Sequence, residues 1–355
     1  MVQLFLKSGH RVALLSIAWL SLAPLTVLAR SHAKGPAFSE GPELEMEGGR
    51  RLVFERSFNS ERELRGKRGF WTRLKDAVAG EPVYRSLVRP YGVAVDSRGR
   101  IIVTDPGAYG IHVFDFERQK YKFLSHNESD YPMISPQCVA VDRQDHVYVT
   151  DSEAGMIFVF QADGKFLRTI GSLRGGEGIF KRPTGIVVDS ERQRIYVSDT
   201  LRNKIFVLNL QGSVVQTIGQ PGKGNGEFNF PTELQLDGPD LLVVDAMNFR
   251  IQVFDRSGEF RFAVGSGLYR PKGLGIDSEG HIYVADAFDQ TVRVFDRDSH
   301  LLYYFGKPAG IGDFELPGGL TIDRSDRIMV IDSAHRRVQV FHYFGSAQQS
   351  RGAGQ

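Results

Sequence analysis

One pattern recurs six times along this chain. A proline is followed six residues later by an aspartate, at Pro90/Asp96, Pro136/Asp142, Pro183/Asp189, Pro231/Asp237, Pro271/Asp277 and Pro317/Asp323. Eight to ten residues further on stands a second aspartate: Asp105, Asp151, Asp199, Asp245, Asp286 and Asp332. Nine residues beyond each of these comes Phe114, Phe160, Leu208, Phe254, Phe295 or Phe341, always after a valine. A unit of about 40–50 residues holding several short strands cannot bury its own apolar face. Such units are expected to stand side by side around an axis, as the blades of a β-propeller. The period predicts an all-β fold of six blades.

The segment Tyr91–Leu124 shows how one blade is written. Gly92–Val95 is a short apolar run, and Asp96-Ser97-Arg98-Gly99 suits a tight reversal. Ile101–Thr104 makes a second strand, ended by Asp105 and a loop containing Pro106 and Gly107. Ile111–Phe114 and Tyr121–Leu124 complete four antiparallel strands. Small or slender residues at one phase of the first strands (Ala94, Ala140, Val187, Gln235, Gly275 and Thr321) are expected at the crowded axis, with larger neighbours such as Val93 and Val95 filling the space between blades.

The sixth unit runs out before a fourth strand, which would leave raw sheet edges. Leu52–Phe58 resembles the outer strands, so residues 50–58 are expected to close blade six and to bury Val53 and Phe54. Between this strand and blade one, Ser60 and Glu63 form a capping-box pattern. Phe70, Trp71, Leu74 and Val78 then recur at helical spacing, which predicts a short helical insertion over residues 60–80. The propeller itself is expected to occupy residues 88–345, with a disordered linker at 30–49 and a disordered polar tail at 346–355.

Residues 1–29 read as a secretory signal peptide: Lys7 and Arg11 precede an apolar stretch, and Val27-Leu28-Ala29 fits the small-residue cleavage rule. The alternative is an uncleaved anchor, because the stretch lies at the lower limit for a membrane span. Removing Lys7 and Arg11 with this segment leaves 42 basic residues against 42 acidic ones. A neutral chain has no long-range field to attract nucleic acid. A single cysteine, Cys138, rules out an intrachain disulfide. The expectation is a monomer exported to a bacterial periplasm or beyond, with no nucleic-acid partner and no stable membrane span unless the signal segment is retained.

The full motif is Pro-x-Gly-aliphatic-x-aliphatic-Asp, then aliphatic-x-Val-x-Asp, then aliphatic-x-Val-Phe. It resembles the NHL repeat, and it matches six times between Pro90 and Phe341. Departures are few: Cys138 and Glu233 stand in place of the glycine, and Leu208 in place of the aromatic residue. The resemblance implies a binding platform for proteins, nucleic acids or polymers, although a minority of similar propellers are lyases or lactonases. Fold alone does not settle which.

Candidate sites therefore have to come from the residues. The second aspartates should ring one face of the channel. Lys204, Arg250 and Arg337 are placed to pair with three of them, five residues later. Asp105, Asp151 and Asp286 lack such a partner and are the best candidates for a Ca-like cation, the one cofactor the pattern allows. Glu233 and Lys272 are the charged poles of a possible ligand site in the channel wall, with Tyr91 beside them at the same face. The loops between second and third strands offer Tyr109, Arg202, Asn203, Asn248, Phe249, Phe288, His335 and Arg336 as a recognition surface. No pair of histidines has metal-ligand spacing and no serine sits in a nucleophile elbow, so no catalytic residue is assigned. The expected function is a noncatalytic scaffold binding a protein or envelope polymer through one face. A metal-dependent lyase or lactonase acting at the channel mouth is the alternative.

Overall fold

The computed structural model describes residues 42–64, 83–126, 132–171, 178–265, 267–307 and 311–345. The signal segment, the polar tail and most of the expected helical insertion lie outside the described residues. Of that insertion, Glu61–Leu64 is described and forms a turn of 3-10 helix. Half of the expected capping box forms: the Glu63 carboxylate accepts from the Ser60 N–H at 3.1 Å, while the Ser60 hydroxyl donates to the same carboxylate at 2.6 Å and caps no helix amide. Among the described residues no helix is long and apolar enough to cross a membrane.

Six antiparallel sheets follow one another in the order the repeat predicts. Blade one is Val93–Val95, Ile101–Asp105, Gly110–Asp115 and Lys120–Leu124. Blades two to five repeat the same four-strand meander from Pro136, Pro183, Pro231 and Pro271. Second and third strands are buried almost throughout, because each lies between two neighbouring blades. The fourth strands alternate toward solvent, as in Lys120–Leu124 and Phe166–Ile170.

Blade six is completed by the N-terminal segment. Arg51–Phe58 pairs antiparallel with Arg337–Phe344, from Arg51 opposite Phe344 to Phe58 opposite Val338, across a bulge between Phe54 and Arg56. The burial differs in detail from the expectation. Leu52 and Phe58 are the anchors, at 0% and 2% exposure, while Phe54 is only partly buried and meets Phe341 edge-on at 5.6 Å. Leu52 packs with Tyr283 and Phe305 of blade five. Phe58 packs with Val93 and Phe114 of blade one. The strand thus reaches the blade on either side of its own. Part of the expected linker is also ordered: Glu43–Glu45 adds a fifth, outermost strand against Arg51–Val53.

The glycine that stands two residues after the proline in four of the six blades has a steric reason. A Cβ at Gly185 would stand 1.9 Å from the Thr232 carbonyl of the next blade, and one at Gly273 2.4 Å from the Gly318 carbonyl. Hydroxyls of the preceding blade bridge the same gap. Ser198 Oγ accepts from the Gly185 N–H at 2.7 Å and donates to the Thr232 carbonyl at 2.5 Å, while Thr104 and Thr150 make the equivalent links to Gln137 and Thr184. The ring closes with the Gly319 N–H on the Tyr91 carbonyl at 2.8 Å.

The expectation for the axis is corrected. Ala94 and Ala140 lie in the cores between blades, and a Cβ on Gly275 would carry a branch into Leu320. The channel end lies beside the part-exposed Val95, Val141, Val188, Leu236 and Ile322, with Thr321 alone of the expected set among its lining. The phase is small because the neighbouring inner strand packs there.

Truncating the closing strand at its far anchor tests the latch. Phe58→Ala removes a ring packed against Phe114 and Phe116 at 4.8 and 4.9 Å. It should lower unfolding stability by about 3–5 kcal/mol in denaturant titration. An exposed control on the same strand, Ser57→Ala, should change it by less than about 0.5 kcal/mol.

Candidate functional site

Each blade presents two kinds of connection at the end where its proline stands, here called the proline face. One is the loop between second and third strands; the other is the linker arriving from the previous blade. The second aspartate ties them together. Asp151 accepts from the N–H groups of Ile134 and Ser135 in the linker and of Glu153 and Ala154 in its own loop, at 2.6–3.1 Å. Asp105 does the same with Val88, Arg89 and Ala108, and Asp286 with Tyr269, Arg270 and Phe288. All six of these aspartates are fully buried.

This arrangement bears on the three cation candidates. The oxygens of Asp105, Asp151 and Asp286 already face inward to amide donors, which is the local satisfaction expected of a turn-forming aspartate. Asp105 has a further partner that sequence spacing did not reveal. His112, seven residues on, brings Nε2 to 3.4 Å of its carboxylate and Nδ1 to 2.8 Å of the Tyr121 hydroxyl. Burial pushes the Asp105 carboxyl up, but the histidine and the Val88 and Arg89 amides outweigh it and hold it below the ordinary range. Gln252 and Gln339 fill the same position beside Asp245 and Asp332. Arg250 and Arg337 pair with those two aspartates at 3.0 and 2.8 Å, as expected. At Asp199 the ion-pairing cation is Arg202, at 3.6 Å, in the place expected for Lys204.

The recognition candidates divide by what they touch. Several are absorbed into the face itself. The Asn203 side chain accepts from the Phe230 N–H at 2.8 Å. Asn248 donates to the Gly222 carbonyl and to Asp245, both at 2.9 Å. His335 lies 2.9 Å from Asp332 and 3.4 Å from Glu315. Others face solvent: Phe288 is 70% exposed, Tyr109 59% and Phe249 47%. They have company that the sequence reading did not pick out. Val88, Leu201, Phe230, Met247, Tyr269 and Leu316 are also exposed, and all belong to loops or linkers of this face. The proline face carries an apolar crown.

Backbone geometry singles out one position in that crown. The fourth residue after each buried aspartate has positive φ in all six blades: Tyr109, Gly155, Asn203, Phe249, Gln290 and Arg336. Glycine and asparagine take this conformation readily, whereas a bulky side chain is held there at a cost of about 1 kcal/mol or more. Tyr109 at +56°, Phe249 at +57° and Arg336 at +54° accept that cost in order to stand on the loop tips.

The crown surrounds a cavity of about 800 Å³ at the channel mouth, lined by Arg89, Tyr91, Arg270, Lys272 and Arg336 among others. Lys272 Nζ lies 5.2 Å from the centroid of the Tyr91 ring. Burial and the neighbouring Arg270 both lower its affinity for a proton. Burial raises the Tyr91 hydroxyl, and Cys138 and Glu233 raise it further. Glu233 and Cys138 are the two residues that replace the motif glycine, in blades four and two. They meet past blade three: the Cys138 thiol donates to Glu233 Oε2 at 3.1 Å. Burial pushes the Glu233 carboxyl up to about 7, against smaller opposing effects of the thiol and the Leu234 N–H. Burial and the Glu233 charge likewise push the thiol well up, so it is held as S–H rather than as a nucleophilic thiolate. Lys272 lines the mouth cavity, whereas Glu233 is not among its lining residues, and each answers to other neighbours rather than to its opposite charge.

The opposite end of the channel differs. There a cavity of about 810 Å³ is walled by the first-to-second-strand turns, with Asp96, Asp142, Asp189, Arg143, Glu191, Arg192 and Asp323. Its charges are mostly paired with one another, as in Arg143–Glu191, Arg192–Asp189 and Arg327–Asp323.

Comparison with known proteins agrees with this architecture. Residues 129–199 and 188–263 match the DUF5128 family model, described as a 6-bladed beta-propeller. A 115-residue stretch is 27% identical to Protein brain tumor of Drosophila melanogaster; it covers 30% of this chain and only 11% of that protein, so this chain spans about a tenth of the relative. Among solved structures, a streptogramin B lyase superposes with a TM-score of 0.54 at 14% identity, over 72% of this chain and 94% of that one. Selenomethionine-substituted virginiamycin B lyase from Staphylococcus aureus gives 0.55 at 14% identity, over 84% and 91%. A nidogen/laminin complex chain gives 0.51 at 20% identity, over 62% and 83%. At such identities the likeness is one of fold alone.

Two measurements follow from this geometry. Glu233 keeps its proton to about pH 7 when folded and to about pH 4.3 when unfolded, so the folded chain binds more protons between those values. Stability from this group is complete at low pH and is lost as pH rises toward 7. Glu233→Gln should abolish that slope and stabilise the protein at pH 8 by on the order of 2 kcal/mol, read from melts across pH 4–8. Phe249→Asn should relieve the positive φ and raise unfolding stability by about 0.5–1 kcal/mol, while the same change at Phe288, outside the strained position, should not.

Proposed function

We propose that this NHL-type six-bladed β-propeller is an exported, noncatalytic scaffold that binds a protein or envelope-polymer partner through its proline face. The observation that carries the reading is the concentration of exposed aromatic and aliphatic side chains on that face. Tyr109, Phe230, Met247, Phe249, Tyr269, Phe288 and Leu316 are exposed on its loops and linkers, with Tyr109 and Leu316 lining the mouth itself, against a polar, internally paired opposite face. Apolar patches rimmed by polar groups mark interaction sites, and rigid aromatic anchors contribute most where they can be desolvated by a partner. Three loop tips holding bulky residues at positive φ support the same conclusion, since such strain is usually found where a surface is used.

The lyase alternative is less well supported by the residues. A virginiamycin B lyase structure with a histidine replaced by alanine is described as catalytically inactive. None of the residues lining the mouth cavity of this chain is a histidine. His146 and His281 sit on the opposite face against Asp142 and Asp277, His300 lies beside Asp296, and His335, on the proline face, is paired with Asp332 and Glu315. The cavity walls also hold no thiolate, because the one thiol is protonated and bonded to Glu233.

Capture from envelope extracts tests the scaffold reading. Immobilised protein should retain a specific partner, and the pair Phe249→Ala with Phe288→Ala should weaken retention at least tenfold while leaving the melt unchanged. Arg143→Ala on the opposite face should leave retention intact. Equal retention by the crown variant and the native chain would overturn the assignment of the face.

A further inference from the structure

The mouth cavity holds an imbalance that the crown does not explain. Its lining carries four cations, Arg89, Arg270, Lys272 and Arg336, against one carboxylate, Glu153. None of the four makes an ion pair among the described residues. Arg182 adds a fifth positive group near Tyr91. The arginines of the opposite face are, by contrast, mostly matched to aspartate or glutamate. Like charges gathered around a concave, partly dry mouth repel one another, and an occupant of opposite charge relieves that repulsion.

We infer that the channel mouth is a binding site for a small organic anion, whose carboxylate or phosphate head is held by Arg270, Lys272 and Arg336 and whose apolar body lies over Tyr91. The cavity is of the size of small-molecule sites, which run to about 300–1,000 Å³. Arginine forks offer paired N–H donors to a planar carboxylate or a phosphate. Lys272, poised above the Tyr91 ring, supplies a point charge at the inner end. Burial, with Arg270 nearby, lowers the proton affinity of Lys272, and an anion within reach would raise it again. Beneath them Glu233 is neutral below about pH 7. Its ionisation above that pH places a like charge under the bound head, so binding should weaken from pH 6 to pH 8. Cys138 and Tyr91, which face Glu233, stay uncharged over that range.

The site shares Tyr109 and Leu316 with the partner surface, whereas Phe249 and Phe288 do not line the cavity and so report on the partner surface alone. Calorimetric titration of the full chain with phthalate, phenyl phosphate and inorganic phosphate, each against sodium chloride of equal ionic strength, tests it. Saturable one-to-one binding of phthalate or phenyl phosphate is expected. It should fall at least tenfold in Arg270→Ala with Lys272→Ala and in the milder Lys272→Gln, and remain unchanged in Phe249→Ala with Phe288→Ala. Which head is preferred separates a carboxylate ligand from a phosphate one. The absence of saturable binding for all three probes would overturn the site, as would undiminished binding in both mouth variants. Inorganic phosphate binding as tightly as phenyl phosphate would overturn the assigned organic body.

Discussion

The architecture depends on a carboxylate buried where water cannot reach it and answered in every blade by backbone amides of the incoming linker. Each blade ends its second strand in such an aspartate, and each gathers N–H donors from the linker that brings in the chain just before the proline. Charge-assisted bonds of this kind contribute about 1.5–3 kcal/mol apiece, and removing the acceptor would leave two or more buried amides unsatisfied. The same aspartate therefore sets the height of the inner strand, the path of the linker and the shape of the loop beside it. Every group on the proline face is positioned through it. This is also why the ring of six carboxylates, which invites a cation, is better understood as a ring of six fasteners.

Much of this was legible in the sequence because it is local and repeated. The proline, the turn aspartate and the buried aspartate recur at fixed phase, so strand order, blade number and the missing outer strand of blade six follow from spacing. What spacing alone does not show is which side chains meet between adjacent strands of a blade. His112 looks unrelated to Asp105 until the register of adjacent strands brings it there, at the position Gln252 and Gln339 fill in blades four and six. The interior phase was misjudged for a related reason. Ala94, Ala140 and Gly275 are small because the next blade's inner strand leaves no room, not because they face the axis. Periodicity shows that a position is crowded; only the fold shows by what.

The two exceptions to the glycine rule illustrate this most clearly. Cys138 and Glu233 are visible in sequence as separate departures, 95 residues apart. In the folded ring they are one feature, a thiol donating to a carboxyl that burial keeps protonated to about pH 7. A glycine at either position would let neighbouring strands approach as they do at Gly185 and Gly273. Substituting both places polar groups in the channel wall, where each can satisfy the other. Burial costs two separated polar groups more than it costs a bonded pair, so the exceptions are coupled in energy as well as in space.

The two ends of the channel show what the fold leaves open to use. Around the opposite mouth, aspartates cap their own turns and pair with arginines, so the charge there is spent within the protein. Around the proline face, every second aspartate takes linker amides, and side chains of its own blade add to them at Asp105, Asp199, Asp245 and Asp332. Arg89, Arg182 and Arg270 immediately precede the prolines and give their N–H groups to the carboxylates. Their guanidinium groups remain outside the bargain. A repeat that fastens itself through backbone can carry any side chain at those linker positions without losing its fold. Such positions are where a rigid ring can acquire a charge pattern or an aromatic rim suited to a ligand. Arg89, Arg182 and Arg270 stand on them, and the loops between second and third strands add Arg336 and most of the crown, which is the physical reason for seeking the activity of this chain at that end of its axis.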